Sequence, residues 1–258
     1  MAAKFYKPKN DRDNNMAGSV LLYGKHAVTS ALENKKRIVQ KVWCVPEMTA
    51  ELQGAANRGG HNAALIKATE RKEIDKMLPP DAVHQGVAAA VKPLEGIAIE
   101  ELCDKAEGVE KCQVLVLDQV TDPQNVGAIV RSCAAFGAWA LVMQDKNAPA
   151  ESGAMVKASA GTFEFLPICR VTNLSRAIEK LKKAGFWVVG MDGYAKTTID
   201  NMNKNGKIAV VMGSEGKGMR RLVEESCDET VKLKMDERVE SLNVSTAAAI
   251  ALYEVAKG

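Results

Sequence analysis

The rear of this chain alternates two kinds of segment. Apolar runs at residues 114–118, 139–143, 164–168, 186–191, 207–212 and 230–233 read as strands. Helix-period stretches fall near 124–136, 151–158, 174–184 and 219–225, and a last helix is predicted over 244–256. Strands that alternate with helices need long crossover connections, so they form a mostly parallel sheet covered on both faces. The fold class is therefore α/β.

The front is a second, smaller α/β unit over 19–92. Residues 20–24 lead into a helix at 26–34. A strand at 39–45, a helix at 48–58, a short strand at 65–67, a short helix at 70–77 and a strand at 86–91 follow. Residues 93–112, with Pro93, Gly96 and Gly108 among many acids, read as a linker with one acidic helix at 99–107, which leaves 113–258 as the second domain. Residues 1–18 are polar with scattered charge, the composition of a disordered tail.

No stretch approaches the roughly 18 apolar residues of a membrane helix, and no signal-peptide core precedes the first strand. The six cysteines (Cys44, Cys103, Cys112, Cys133, Cys169, Cys227) form no CxxC and no His-paired ligand spacing. They read as buried free thiols of a reducing cytoplasm, and no metal site is expected. The net charge of +3 hides an asymmetry: residues 1–92 hold 15 Lys/Arg against 9 Asp/Glu, a net of +6, and the remainder is net −3. A basic front suits a polyanion. An ordinary solvated surface explains it equally well.

Three segments hold candidate chemistry. The first is Asp118-Gln119-Val120-Thr121-Asp122-Pro123-Gln124-Asn125, directly after an apolar run. A dinucleotide-binding βα turn would carry glycines there. This one carries carboxylates and an amide, which argues against an ordinary Rossmann cofactor site. Asp122 and Pro123 fit the N-cap and first-turn preferences of a helix. Val126, Ile129, Val130, Cys133, Ala134 and Gly137 recur at helical spacing as its buried stripe, and Arg131 lies well off that stripe at ~100° per residue. The bland alternative is a capped helix with a solvent-facing arginine.

The second segment, Gly213-Ser214-Glu215-Gly216-Lys217-Gly218, is neither GxGxxG nor a P-loop. Its glycines permit left-handed backbone and close approach. Glu215 is either a turn-stabilising acceptor or a functional carboxylate. In the third, Ser241, Asn243 and Ser245 precede and enter an Ala-rich helix, and all three are good N-cap residues where one cap is enough. His26 and His84 read as surface or packing residues, and aromatic residues are too few for a single-strand stacking platform.

Together, in this order, the three segments resemble the SpoU (TrmH-type) branch of the SPOUT RNA 2′-O-methyltransferases, over essentially residues 20–257. Asp122 to Gly127 with Arg131 is similar to that family's first motif, Val211 to Gly218 to its second, and Ser241 to Ser245 to its third. Tyr23-Gly24-Lys25-His26-Ala27-Val28 and His84-Gln85-Gly86-Val87 resemble the family's ribosomal-protein-like RNA substrate-binding domain. The resemblance implies a C-terminal parallel-sheet domain tied in a deep trefoil knot. It implies S-adenosylmethionine as cofactor, held around Met212, Gly213, Leu233, Met235, Ser241 and Leu242. Leu233-Lys234-Met235 stands where the family usually has Ile-Pro-Met.

The resemblance further implies methyl transfer to a ribose 2′-hydroxyl, of guanosine in 23S ribosomal RNA, by a homodimer. Arg131 would position the hydroxyl and a phosphate, Asn125 and Glu215 would orient Arg131, and Asn243 and Ser245 would complete the pocket. Transfer RNA is the alternative substrate. The rival classes are a non-catalytic RNA-binding or ribosome-assembly protein and a Rossmann oxidoreductase using Asp145.

Overall fold

The computed structural model describes residues 18–258, so the expected tail at 1–18 lies outside the described residues except for Gly18. The chain forms two compact units. One runs to Leu94 and includes Ser152–Lys157; the other holds Glu95–Glu151 and Ala158–Gly258.

The first unit contains β1 (Val20–Tyr23), α1 (Lys25–Glu33), β2 (Val39–Cys44), α2 (Thr49–Gly59), β3 (Ile66–Ala68), α3 (Arg71–Asp75) and β4 (Val87–Val91). Its sheet has the order β1-β4-β2-β3. Strand β4 runs antiparallel to both its neighbours and is buried at every position, which explains its small and β-branched sequence Val-Ala-Ala-Ala-Val. Helices α1 and α2 meet closely: a Cβ on Gly59 would sit 1.9 Å from the Leu32 carbonyl oxygen. Of the surface and packing roles left open for His84, the fold gives it packing. Its buried ring pairs Nε2 with Asp75 Oδ1 at 2.8 Å, and Nδ1 accepts the Gly86 amide at 3.1 Å.

The second-half elements are α4 (Ile99–Lys105), β5 (Cys112–Leu117), α5 (Pro123–Ala135), β6 (Leu141–Gln144), α6 (Gly153–Ala158), β7 (Ile168–Val171), α7 (Leu174–Lys183), β8 (Phe186–Met191), β9 (Thr197–Thr198), β10 (Lys207–Met212), α8 (Arg221–Glu224), β11 (Glu229–Lys232) and α9 (Val244–Lys257). The seven strands form one sheet in the order β7-β6-β5-β10-β8-β11-β9, with every neighbouring pair parallel. Strand β10 lies at its centre, and Val210 is in register with Leu115 on one side and Val189 on the other. One face packs on α4 and α7 through Val114, Val116, Val142, Leu174, Ile178 and Val211. Helix α9 packs on α5, β5 and β10.

Two sequence expectations need correction. Residues 164–167 are not in a strand. Ala160 and Gly161 take φ of 51° and 92°, a short 3₁₀ turn covers Thr162–Glu164, and β7 begins only at Ile168. Pro167 has no amide hydrogen for the ladder, so pairing starts at its carbonyl, which accepts the Leu141 amide at 3.0 Å. The expected linker at 93–112 is integral to the second unit from Glu95 onward. Ile99, Leu102 and Ala106 enter its core, and Ile97 pairs with Cys169 beside β7. The acids that suggested a linker, Glu100, Glu101 and Asp104, are the outer face of an amphipathic helix.

This topology has a switch point between β5 and β10. From β5 the chain leaves toward β6 and β7; from the adjacent β10 it leaves toward β11. In an open parallel sheet, ligands bind outside the carboxyl ends of two neighbouring strands whose connections diverge in this way. Those ends carry the first motif and the glycine loop.

Candidate active site

Strand β5 is buried throughout and apolar from Val114 to Leu117, and it runs into Asp118, which is completely buried. Gln119 then takes a left-handed φ of 60°, a conformation costing a residue with a side chain about 1–2 kcal/mol. Helix α5 starts four residues later. Asp122 caps it by accepting the Gln124 amide at 3.0 Å, with Pro123 as its first residue. Its buried side is Val126, Gly127, Ile129, Val130 and Cys133. Ala134 is half-buried, and Gly137 is exposed at φ 72°, where it ends the helix rather than joining the stripe.

Asn125 stands one turn into α5, half-buried, and donates from Nδ2 to Glu215 Oε1 at 3.3 Å. Glu215 lies at the tip of the glycine loop, which is closed by reciprocal backbone bonds between Ser214 and Gly218 (3.1 and 3.0 Å). Asn243 supplies the third corner. Its Nδ2 donates to Glu215 Oε1 at 2.9 Å and to Asn125 Oδ1 at 3.0 Å. Its Oδ1 caps α9, accepting the amides of Ser245 (2.9 Å) and Thr246 (3.4 Å) and the Ser245 hydroxyl (2.6 Å). Glu215 Oε1 also accepts the Val244 amide at 3.1 Å. Residues 90 and 118 positions apart from Asn125 thus meet in one polar cluster. Of the three candidate caps, Asn243 alone caps α9, and its Nδ2 also reaches Glu215 and Asn125.

Arg131 is exposed on α5 and makes no hydrogen bond or ion pair among the described residues. Glu215 Oε1 accepts instead from Asn125, Asn243 and the Val244 amide. The guanidinium is left for an anion or a hydroxyl brought from outside.

The residues expected around the cofactor lie at the carboxyl ends of the same sheet. Met212, buried, ends β10, and Gly213 begins the loop; a Cβ there would lie 2.1 Å from Gly218 C. Leu233 and Met235, half-buried, follow β11. Leu242, half-buried, and Ser241, exposed, precede the Asn243 cap that reaches Glu215. Of these segments, the glycine loop and the stretch before α9 are joined by hydrogen bonds, through Glu215 to Asn243 and to the Val244 amide. Beside Leu233-Lys234-Met235, Asp236 folds back on Arg238, accepting from its Nε at 2.8 Å and Nη2 at 2.9 Å. That pairing holds the Asp236 carboxyl down to about 2. Among the described residues no group of three or more His, Cys, Asp or Glu side chains is placed to hold a metal ion, and no helix is long and apolar enough to cross a membrane.

Two site residues were missed by sequence reasoning. Asp118 Oδ2 accepts the Arg220 amide at 2.8 Å, and Oδ1 accepts Arg220 Nε and Nη2, each at 2.8 Å. The available signal was an acid closing the apolar run from Val114 to Leu117.

Comparison with known proteins decides the family. The family model for SpoU rRNA methylases matches residues 113–253, and one for RNA 2′-O-ribose methyltransferase substrate binding matches residues 21–96. This chain belongs to the SpoU rRNA methylase family. A 23S rRNA (guanosine-2′-O-)-methyltransferase of Pseudomonas syringae is 39% identical over 237 residues, covering 90% of this chain and 93% of the relative. One of Escherichia coli K12 is 35% identical, covering 93% and 98%. In fold, the chain is similar to an S-adenosylmethionine-bound rRNA methyltransferase from Sinorhizobium meliloti, with TM-score 0.77 and 20% identity over 93% of this chain and 87% of that one. AviRb from Streptomyces viridochromogenes, also solved with that cofactor, gives 0.74 at 23% identity over 93% and 90%. As a family member the chain is an S-adenosylmethionine-dependent RNA ribose 2′-O-methyltransferase.

Proposed function

We propose that this SpoU-family enzyme methylates the ribose 2′-hydroxyl of a guanosine in 23S ribosomal RNA. The observation that carries the reading is the Asn125–Glu215–Asn243 cluster, which gathers all three motifs at the divergence of β5 and β10. The substrate follows the relatives from Pseudomonas syringae and Escherichia coli, whose names state it. The basic front half supplies phosphate attraction of the kind that dominates RNA affinity.

Mechanistically, the ribose hydroxyl is a weak nucleophile, so placement must contribute much of the rate. S-adenosylmethionine, when bound by Met212, Gly213, Leu233, Met235, Ser241 and Leu242, supplies an electrophilic methyl group. Arg131 holds the incoming nucleotide by phosphate and hydroxyl. Glu215 fixes Asn125 and Asn243, and Ser245 stands beside them at the head of α9.

The reading includes a homodimer joined over α5 and α9. Ile250 and Tyr253 are exposed on α9, and Tyr253 meets Phe136 edge to face at the end of α5, with centroids 5.6 Å apart. It includes a trefoil knot made by the return of 233–243 from the β11 edge to α9, and residence in the cytoplasm.

The test is purified protein with labelled cofactor and 23S ribosomal or transfer RNA, digested to nucleosides. Label in 2′-O-methylguanosine from ribosomal RNA is expected. Label on a base, on transfer RNA alone, or none at all would overturn the assignment.

A further inference from the structure

Asp118 stands outside the three-cornered cluster, yet it holds both feet of the loop that carries Glu215. Its main-chain amide donates to the Met212 carbonyl at 2.8 Å, where the chain enters the loop. Its carboxylate takes the Arg220 amide at 2.8 Å, where the chain leaves it. The Arg220 side chain then wraps the other carboxylate oxygen through Nε and Nη2, both at 2.8 Å. Above these feet the loop is internally rigid. Ser214 and Gly218 exchange backbone bonds, and Gly213 packs on the Gly218–Met219 backbone with no room for a Cβ. Such a closed loop moves as one piece, and its two feet decide where the tip stands.

The pair is also an unusual expense. Asp118 is fully buried, and its cation is 42% exposed. A buried carboxylate adds little net stability even when paired. Next to it Gln119 is held at φ 60°, and strained backbone persists where its surroundings over-determine it.

We propose that Asp118 is a positioning residue for methyl transfer: through Met212 and Arg220 it sets the loop that places Glu215 against Asn125 and Asn243. This rests on the methyl-transfer reading above. Losing the clasp leaves the RNA-binding unit untouched and lets the loop tip drift, and a displacement near 1 Å in a catalytic constellation costs about 100-fold in rate.

The experiment compares Asp118→Asn, Arg220→Gln and their double variant with the parent in steady-state methylation and in amide hydrogen exchange. Each single variant lowers kcat by ~10–100-fold with the KM for RNA within about twofold. The double variant, whose two amides can bond each other, regains part of kcat. The amides of residues 220 and 244, which bond the Asp118 and Glu215 carboxylates in the parent, exchange faster in the single variants, while the central turns of α9 keep the parent's protection. If Asp118→Asn does not fold, Arg220→Gln, altered on the half-exposed side, decides alone. Unchanged kcat with unchanged loop exchange overturns the proposal, as does a rise in KM with kcat intact. A parent that methylates no RNA sinks the methyl-transfer reading instead, and loop exchange still tests the clasp.

Discussion

At the residue scale, Asn243 is the most exacting position. One side of its amide accepts, capping α9; the other donates, to Glu215 and Asn125. Aspartate caps a helix as well as asparagine but has nothing to donate, and it would set a second carboxylate against Glu215. Asn243→Asp should therefore keep the helix and lose ~100-fold in kcat, measured by methylation assay beside circular dichroism. Melting that follows the loss of activity would instead reduce Asn243 to a cap. Arg131 is different, since none of the described residues bonds it. Arg131→Ala should reduce kcat/KM by ~100-fold or more while calorimetry shows cofactor affinity within about threefold of the parent. Much of this scale was legible in the sequence: the Asp122 cap, Pro123 and Arg131 off the stripe follow from capping preferences and helical period. The partner of Glu215 was not, because a hydrogen bond across 90 positions leaves no mark in local sequence.

At the scale of elements, the glycine loop illustrates how little a motif says alone. Gly-Ser-Glu-Gly-Lys-Gly suits any strand-to-helix turn. In place, Gly213 is required because a Cβ would meet Gly218 C at 2.1 Å and Met219 N at 2.2 Å, both main-chain atoms that cannot swing aside. Gly213→Ala should cost ~1–3 kcal/mol in urea denaturation and weaken cofactor binding at least tenfold, read by calorimetry. Parent-like affinity would show that the loop does not line the cofactor site. Strands β8 and β10 were readable to the residue as apolar β-branched runs. The short β9 was not, since two threonines carry no periodicity. Helix α4 reads as part of a linker because its acids outweigh Ile99 and Leu102, the two buried positions that place it in the core.

At the scale of the whole molecule, burial dominates the thiols. It pushes Cys169 and Cys227 up to about 12 and raises Cys133 still further. An unfolded chain ionises its thiols from about pH 8.5 to 9, while these remain protonated in the fold. Their contribution to stability is full below that range and is lost as pH rises toward 12. Urea midpoints should fall between pH 8 and pH 10.5, less so in a Cys169→Ala/Cys227→Ala variant. An identical slope in both would assign the loss to other groups. Assembly belongs to this scale too. Tyr253→Asp should shift the mass in light scattering from dimer to monomer, and a parent that is already monomeric at working concentration removes the proposed interface.

The amino-acid sequence by itself determined the two α/β units, the parallel sheet and the family, because hydrophobic period and short capped motifs are local and survive without a partner. Tertiary structure alone decided that Asn125, Glu215 and Asn243 share one hydrogen-bonded cluster and that Asp118 grips Arg220 across 102 positions. The physical reason is the strand order. Placing β10 beside β5 brings two distant turns together, and no property of either turn encodes its neighbour.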